Sequence, residues 1–250
     1  MGLQALRGNY IYSEATSTLG LTAGLSYRSS RWNASAVVAL VGQSSTGVTS
    51  FGPFFMADGE WSRHGGSSPR GMHGNYSEQD AHLADSDFRF GLGDIFLYGE
   101  LLILEGSPVH PSLSLTAQGK LPTASEVPRF GTGKTDYGVG LAIRQLWAPY
   151  FVFVNAGHLR LGDPDGVTYK DPLSLTFGAG RTWLDGRFSL LGYYESYTEI
   201  IAGFPPPRQI GIIASNRLLG GQTVTVGGTF GLTDSSPDVL VSFGVQFPLR

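Results

Sequence analysis

The chain has 250 residues and a formal net charge of −3, and it contains 36 glycines, no cysteine and 15% charged residues. Soluble domains usually have about 25% charged residues and about 7% glycine, so this composition argues against an ordinary soluble helical domain. The acidic balance excludes a basic nucleic-acid footprint, and the lack of cysteine excludes disulfides and thiolate metal sites.

The distribution of apolar residues excludes membrane-spanning helices. No run of about 18 uninterrupted apolar residues occurs, and the most apolar segment, 95–104, contains Glu100. The first residues, Met1 to Gln4, lack the cationic region and apolar core of an export signal. We therefore expect Met1 to be an initiator residue in front of a mature, exported chain.

Apolar and polar residues alternate with a period of two along most of the chain. In one C-terminal segment Val224, Val226 and Phe230 fall on one face, and Thr223 and Thr225 fall on the other. This periodicity is typical of β-strands. In chain order, the segments that show it are 4–13, 18–28, 32–42, 93–104, 109–120, 135–145, 150–160, 172–183, 187–197, 207–216, 222–232 and 238–249.

The links between these segments alternate between short and long. The short ones lie at 28–31, 105–108, 148–149, 185–186 and 220–221, and the long ones at 43–92, 121–134, 161–171, 198–206 and 233–237. Most segments have about ten residues, the length that a tilted strand needs to cross a bilayer. The pattern predicts an all-β protein, a transmembrane antiparallel up-and-down β-barrel of about 12 strands. We expect one domain over 1–250, a long outer loop at about 43–92, and both termini in the periplasm.

The composition of the two faces indicates which one meets the membrane. The polar face consists mainly of Ser, Thr, Gly and Gln and has few charges for a water-exposed surface, so we expect the apolar face to point outwards into lipid. Trp32, Tyr137 and Tyr194 lie near strand ends on the apolar face, where they suit the aromatic girdles of a membrane barrel. The alternative is a soluble lipocalin-like barrel or sandwich with the apolar face inside.

Ionisable and tyrosine side chains on the polar face are the candidate lining of the lumen. They are Asp94, Tyr98, Glu100, Lys120, Asp136, Arg144, His158, Arg160, Tyr193 and Glu195. In an open barrel they would set the electric field and the constriction of the pore. In a closed barrel they would pair across the interior, because buried charges need partners. The sequence leaves both possibilities open.

Three further motifs have simpler interpretations. The loop 131–134 is rich in glycine but lacks the spacing of a phosphate-binding loop, and 162–166 offers too few acids for a calcium site and fits a turn. His64, His73 and His82 are nine residues apart in the long 43–92 link, which favours a surface segment over a metal site. That link also begins with several aromatic residues, which motivates the hypothesis that it folds inwards and narrows the pore.

Several short motifs, in order, resemble the outer-membrane barrel transporter family named for the meta-pathway of phenol degradation. They are Gly91-Leu92-Gly93-Asp94, Lys120-Leu121-Pro122-Thr123, the stretch 131–137, the stretch 162–166 and the stretch 231–238. The resemblance covers roughly 18–250 and implies a barrel for uptake of small, often aromatic or apolar, compounds. The C-terminal Phe247-Pro248-Leu249-Arg250 departs from the terminal aromatic residue usual in such barrels.

The resulting functional prediction is a channel of the bacterial outer membrane for passive passage of small molecules, aromatic or apolar ones included. We expect a monomer that contacts membrane lipid and lipopolysaccharide, with no nucleic-acid partner and no cofactor or metal. One alternative is a closed structural or receptor-like barrel. Another is a lipid hydrolase, but no nucleophile motif accompanies His158 or His110, so we expect no enzymatic activity.

Overall fold

The computed structural model describes residues 1–10, 15–44, 48–51, 54–57, 88–124, 130–164 and 168–248. Within these residues no helix is long and apolar enough to cross a membrane. The strands are β1 (Gly2–Gly8), β2 (Thr16–Arg28), β3 (Trp32–Gln43), β4 (Val48–Phe51), β5 (Phe54–Ala57), β6 (Arg89–Leu104), β7 (Ser112–Leu121), β8 (Asp136–Trp147), β9 (Tyr150–Arg160), β10 (Leu173–Trp183), β11 (Phe188–Tyr197), β12 (Arg208–Arg217), β13 (Thr223–Gly231) and β14 (Val239–Gln246).

Twelve of these strands form one closed antiparallel barrel. Each strand pairs with its neighbour in sequence, and β1 pairs with β14 to close the ring. Only β4 and β5 stand apart as a separate two-stranded sheet, so that β3 pairs directly with β6. The predicted up-and-down barrel of about 12 strands is therefore confirmed, with the hairpin β4–β5 as an addition inside the 43–92 link.

The first strand is shorter than the sequence predicts, because it ends at Gly8 rather than at residue 13. A side chain at Gly8 would meet the backbone of Pro237, with Cβ 2.8 Å from its Cα. Tyr10 then takes a positive φ of 49°, a conformation that interrupts a strand. The chain turns inwards at this point and buries the Tyr10 ring.

The short turns and the two termini lie at one end of the barrel. The N-terminal ammonium of Met1 donates a hydrogen bond of 2.9 Å to the carbonyl of Val245. Gly186 and Gly221 have φ values of 78° and 86° in two of the short turns, a region that glycine reaches without strain. We call this the short-turn end, and we call the opposite end, which carries the longer links, the long-loop end.

The outer wall is apolar and the inner wall is polar. Phe177, Val226 and Phe243 are 47%, 49% and 48% exposed on the outside, whereas Thr176 and Thr225 alternate with them along β10 and β13 and face the lumen. A closed barrel pairs all its strands, and a wall of exposed apolar side chains is stable only in an apolar solvent. The structure thus has the orientation that the sequence predicts for a transmembrane barrel.

A β-bulge in β6 sets which side chains of this strand face inwards. Val38 pairs with Ile95 and Leu40 pairs with Leu92, so Gly93 and Asp94 together oppose one residue of β3. Without the extra residue, strict alternation would keep Asp94 on the same face as Leu92, which is 55% exposed on the outside. The bulge instead turns Asp94 inwards, and the even-numbered residues from 94 to 102 follow it into the lumen.

Candidate functional site in the barrel lumen

All but two of the candidate side chains face the interior. The inward ones are Asp94, Tyr98, Glu100, Lys120, Asp136, Arg144, Tyr193 and Glu195. The structure brings Asp94, Lys120 and Asp136 together near the long-loop end, and it places Glu100 beside Arg144 nearer the short-turn end.

His158 and Arg160 require a correction, because the structure places them on the outer wall. His158 pairs with Val139 and Leu173, which are 60% and 57% exposed on the outside, and Arg160 pairs with the outward Tyr137. The polar and apolar faces of β9 are not separated as they are in the other strands. Its outward side carries Val152 and Val154 and then His158 and Arg160 near the long-loop end.

The inward side of β9 carries two phenylalanines, which explains why its pattern misled the sequence analysis. A Cβ on Gly178 would lie 2.8 Å from the ring of Phe153, and a Cβ on Gly180 would collide with the ring of Phe151. The rings therefore occupy lumen space that the neighbouring strand β10 leaves free by having no side chains there. An aromatic residue can thus be inside when a glycine stands next to it across the ladder.

A buried ion cluster anchors the long-loop end. Lys120 Nζ lies 2.7 Å from Asp136 Oδ2 and 3.8 Å from Asp94 Oδ2, and it donates a hydrogen bond of 2.7 Å to Thr132 Oγ1. Lys120 and Asp94 are almost completely buried, at 2% and 0% exposure. Breaking one member of such a buried cluster leaves uncompensated charge, which is strongly destabilising.

This cluster holds the link between β7 and β8 inside the barrel. The described residues of this link are 122–124 and 130–135. Asp94 Oδ1 accepts a hydrogen bond of 2.9 Å from the backbone N–H of Ala124, and a Cβ on Gly131 would lie only 2.5 Å from Asp94 Oδ2. The glycine therefore permits the close approach that seats the link against β6.

Phe130, in the same link, closes part of the lumen. It is 2% exposed and packs in a cluster with Leu6 of β1, with Val41 of β3 and with Tyr10, which follows β1. Leu240 packs against the cluster and belongs to β14, which lies opposite β8 in the ring. Phe130 thus reaches across the barrel. Burial, together with the nearby Asp238 carboxylate, raises the pKa of the Tyr10 phenol, so this phenol stays neutral.

A second buried cluster closes the region near β9 and β11. It contains Leu159, Leu161, Tyr169 and Ile200. The links that carry Tyr169 and Ile200 are joined by an ion pair between Lys170 and Glu199, and the hydrogen bond from Lys170 lowers the pKa of the Glu199 carboxyl.

A small gap lies next to these two clusters. It has a volume of about 20 Å³ and is lined by residues that include Phe96, Tyr98, Lys120, Leu159 and Leu161. A cavity needs roughly 10–15 Å³ of this kind of volume to hold one water molecule. The gap therefore admits about one water, so the described residues leave little space beside the two clusters.

A central cavity of about 290 Å³ lies on the short-turn side of the gap, with Tyr98, Asn155, Glu195 and Tyr197 in its lining. Glu195 Oε1 accepts hydrogen bonds from the Tyr197 hydroxyl at 3.0 Å and from Thr176 Oγ1 at 3.3 Å. Its Oε2 accepts a bond of 2.8 Å from Gln209 Nε2. The carboxyl is thus fixed in place by three donors.

The Glu100–Arg144 pair lies where the central cavity meets the short-turn end. Arg144 contacts Glu100 through both terminal nitrogens, one of them at 3.2 Å, and Asn33 Nδ2 donates a further bond of 3.3 Å. All three residues line both the central cavity and a second cavity of about 370 Å³.

A wider vestibule of about 900 Å³ lies beside these cavities and is lined mainly by β1 to β3, β13 and β14. Among the residues that the structure describes, the lumen is therefore wider at the short-turn end than at the long-loop end. Such an arrangement can admit and hold a small molecule. The described residues contain no group of three or more His, Asp or Glu that could hold a metal ion.

Sequence reasoning missed several residues that shape this lumen. Phe130 stands in a Gly-rich link that looks like an ordinary outer loop, and no local pattern shows that it folds inwards. Arg28 could have been found, because it continues the inward alternation of Ser26 along β2. The hypothesis that the 43–92 link narrows the pore concerns mainly residues 58–87, which lie outside the described residues, as do His64, His73 and His82.

Comparison with solved structures places the fold among outer-membrane channels. An outer membrane channel from Pseudomonas putida F1 matches with a TM-score of 0.65 and 11% identity, covering 98% of this chain and 93% of that chain. The KdgM porin matches with a TM-score of 0.53 and 9% identity over the full length of both chains. The NanC porin matches with a TM-score of 0.53 and 7% identity over 99% of both chains.

No family model matches the sequence, and no curated protein matches it. At identities this low, the likeness to solved structures concerns the fold. The chain is accordingly a closed 12-stranded barrel with the architecture of porin-like channels.

Proposed function

We propose that the protein is a passive channel for small molecules in the bacterial outer membrane. The observation that carries the proposal is the combination of an apolar outer wall with a polar lumen that contains adjoining spaces of about 290 and 370 Å³. A barrel built only as a scaffold gains nothing from keeping hydroxyls, amides and ion pairs around an interior space. The porin-like fold supports the same proposal.

The long-loop end faces the outside and the termini face the periplasm in this proposal, as is usual for outer-membrane barrels. The monomeric barrel contacts lipid through its apolar wall. Arg160 and His158, on the outer wall near the long-loop end, are suited to the phosphate groups of lipopolysaccharide at that depth. This proposed contact with lipopolysaccharide replaces the role in the lumen that the sequence analysis predicted for both residues.

Small aromatic or apolar molecules are the proposed solutes, in line with the transporter family that the sequence resembles. The ring side chains of Tyr98, Phe151, Phe153 and Tyr197 stand inside the barrel. A cavity of about 150 Å³ is sufficient to bind benzene, so the central cavity of about 290 Å³ has room for a solute with one ring.

A closed, receptor-like barrel is the second candidate, and the water-sized gap at the long-loop end favours it. A lipid hydrolase has no comparable support. His158 does face lipid, but its cross-strand partners are Val139 and Leu173, which offer neither a nucleophile nor an acceptor to orient the imidazole.

Liposome swelling with graded solutes, together with planar-bilayer recording, tests the proposal. We expect discrete conductance steps and faster swelling with phenol-sized solutes than with disaccharides. The matched control is the same protein boiled in detergent before reconstitution. Absence of both conductance and swelling, with the barrel shown to be folded by its heat-modifiable mobility on gels, would reject the channel and favour the closed barrel.

A further inference from the structure

The short-turn end of the lumen contains a pocket rich in arginine, which is the second of the two spaces in the proposed channel. Its volume is about 370 Å³, and its lining includes Arg28, Arg31, Asn33, Glu100 and Arg144. The side chains come from the β2–β3 turn, from the first residues of β3, and from β6 and β8. Strands that are distant in sequence therefore converge on one small volume.

The pocket has more cationic groups than anionic ones. Three guanidinium groups face a single carboxylate, Glu100, which already accepts hydrogen bonds from Arg144 and Asn33. Among the described residues, no carboxylate lies within ion-pair distance of Arg28 or Arg31. A surplus of guanidinium groups in a concave site attracts anions, and their planar donors match carboxylate oxygens.

The turn that carries two of these arginines is held by backbone hydrogen bonds. The N–H of Ser29 donates to the carbonyl of Trp32 at 2.8 Å, which closes the turn. The N–H of Leu102 donates to the carbonyl of Arg31 at 2.7 Å and ties the turn to β6. The guanidinium groups therefore project from a fixed backbone, which reduces the entropy lost when a ligand binds.

We propose that this arginine pocket binds the carboxylate of small aromatic monocarboxylates, so that the channel prefers these anions over uncharged molecules of the same size. The inference rests on the proposed channel function and names its solute class. Glu100, Asn33 and Arg144 line both this pocket and the central cavity. A carboxylate held by Arg28 and Arg31 can thus place its ring in the central cavity, beside Tyr98.

Arg144 lies at the boundary and responds to the bound anion. Its guanidinium is engaged by Glu100, and a solute carboxylate in this pocket can accept hydrogen bonds from Arg144 as well as from Arg28 and Arg31. Binding therefore weakens the Glu100–Arg144 contact that separates the two cavities. Aromatic alcohols have no charge with which to compete, and they gain only contact with the rings.

Calorimetric titration of the detergent-solubilised full chain with benzoate, and in parallel with benzyl alcohol, tests the site without requiring transport. We expect benzoate to bind more tightly than benzyl alcohol, and the double variant Arg28→Gln/Arg31→Gln to lose about 10-fold or more in benzoate affinity, the size expected for charge-assisted hydrogen bonds. The matched control Arg160→Gln removes the same group from the outer wall and should leave the affinity unchanged. Equal binding of the two probes, or an unchanged affinity in the double variant, would overturn the proposal.

Reversal potentials in a KCl gradient give a second measurement. The parent channel should prefer anions, the glutamine double variant should lose this preference, and Arg28→Lys/Arg31→Lys should keep it because the charge remains. Binding of benzoate in a protein that never conducts would support the pocket and contradict the channel. Conduction without any preference for benzoate or chloride would support the channel and contradict the pocket.

Discussion

Replacing Phe130 by alanine should open the long-loop end of the barrel. The Phe130 ring is 2% exposed and joins the β7–β8 link to β1 and β3 across the lumen. Truncating a buried phenylalanine to alanine typically costs about 3–5 kcal/mol. Phe130 lies in the link and not in a strand. We therefore expect the lost free energy to shift the equilibrium between a link packed inside the barrel and a link detached from it. A loss of about 3 kcal/mol corresponds to a shift of about 100-fold towards the detached state.

Single-channel recording measures the effect, with hydrogen exchange of the link as an independent readout. We expect a larger conductance for Phe130→Ala and faster exchange at residues 130–135. Phe177→Ala is the matched control, because it removes the same atoms from a ring that is 47% exposed on the outer wall. Faster exchange with an unchanged conductance would refute the reasoning, since the link would then have moved without widening the pore.

Three further tests concern the ion cluster, the direction of the arginine side chains and an inner glycine. Lys120→Met removes the cation that is shared by two buried aspartates, and we expect a lower thermal unfolding midpoint from a loss of about 3–5 kcal/mol. Arg144→Glu should shift the reversal potential towards cations, and Arg160→Glu should not, because only Arg144 faces the lumen. Gly178→Ala should reduce stability in a urea titration, because its Cβ would meet a ring at 2.8 Å, whereas Gly119→Ala has its nearest neighbour at 3.9 Å and should be tolerated.

Each of these expectations has a result that contradicts it. An unchanged unfolding midpoint for the Lys120 variant would mean that the aspartates are satisfied without the ammonium group. Equal shifts of the reversal potential for the two arginine variants would mean that the Arg160 side chain also faces the lumen. Equal stability of the two glycine variants would mean that the Phe153 ring does not lie over β10.

The two ends of the lumen differ in charge. Near the long-loop end the interior carries Asp94 and Asp136 around one lysine, and all three are buried. Near the short-turn end it carries three arginines around one glutamate. The two aspartates near the long-loop end are paired with Lys120 in a buried cluster, whereas the arginines near the short-turn end line an accessible cavity. Solute recognition is therefore expected at the short-turn end, and closure at the long-loop end.

The sequence alone determined the architecture of the barrel. Alternation with a period of two is a local property, and so is the contrast between turns such as Asp185-Gly186 and the longer links. A transmembrane strand must satisfy its backbone by pairing, and it meets lipid on one face only, so the local pattern is sufficient to fix strand number, order and orientation. Glu100 and Glu195 could be placed inside for the same reason.

Only the tertiary structure decided what fills the interior. Phe130 belongs to a cluster with residues of β1 and β3, and Arg28 and Arg144 line one pocket although three strands lie between theirs. These contacts depend on the closure of the ring and on the path of the links, which no local periodicity encodes. β9 shows the same limit, because its phenylalanines point inwards only where the glycines of β10 leave room for them. Hydrophobicity alone is compatible with an apolar side chain that faces lipid and with one that packs inside the barrel. The space left by neighbouring strands determines which of the two positions it takes.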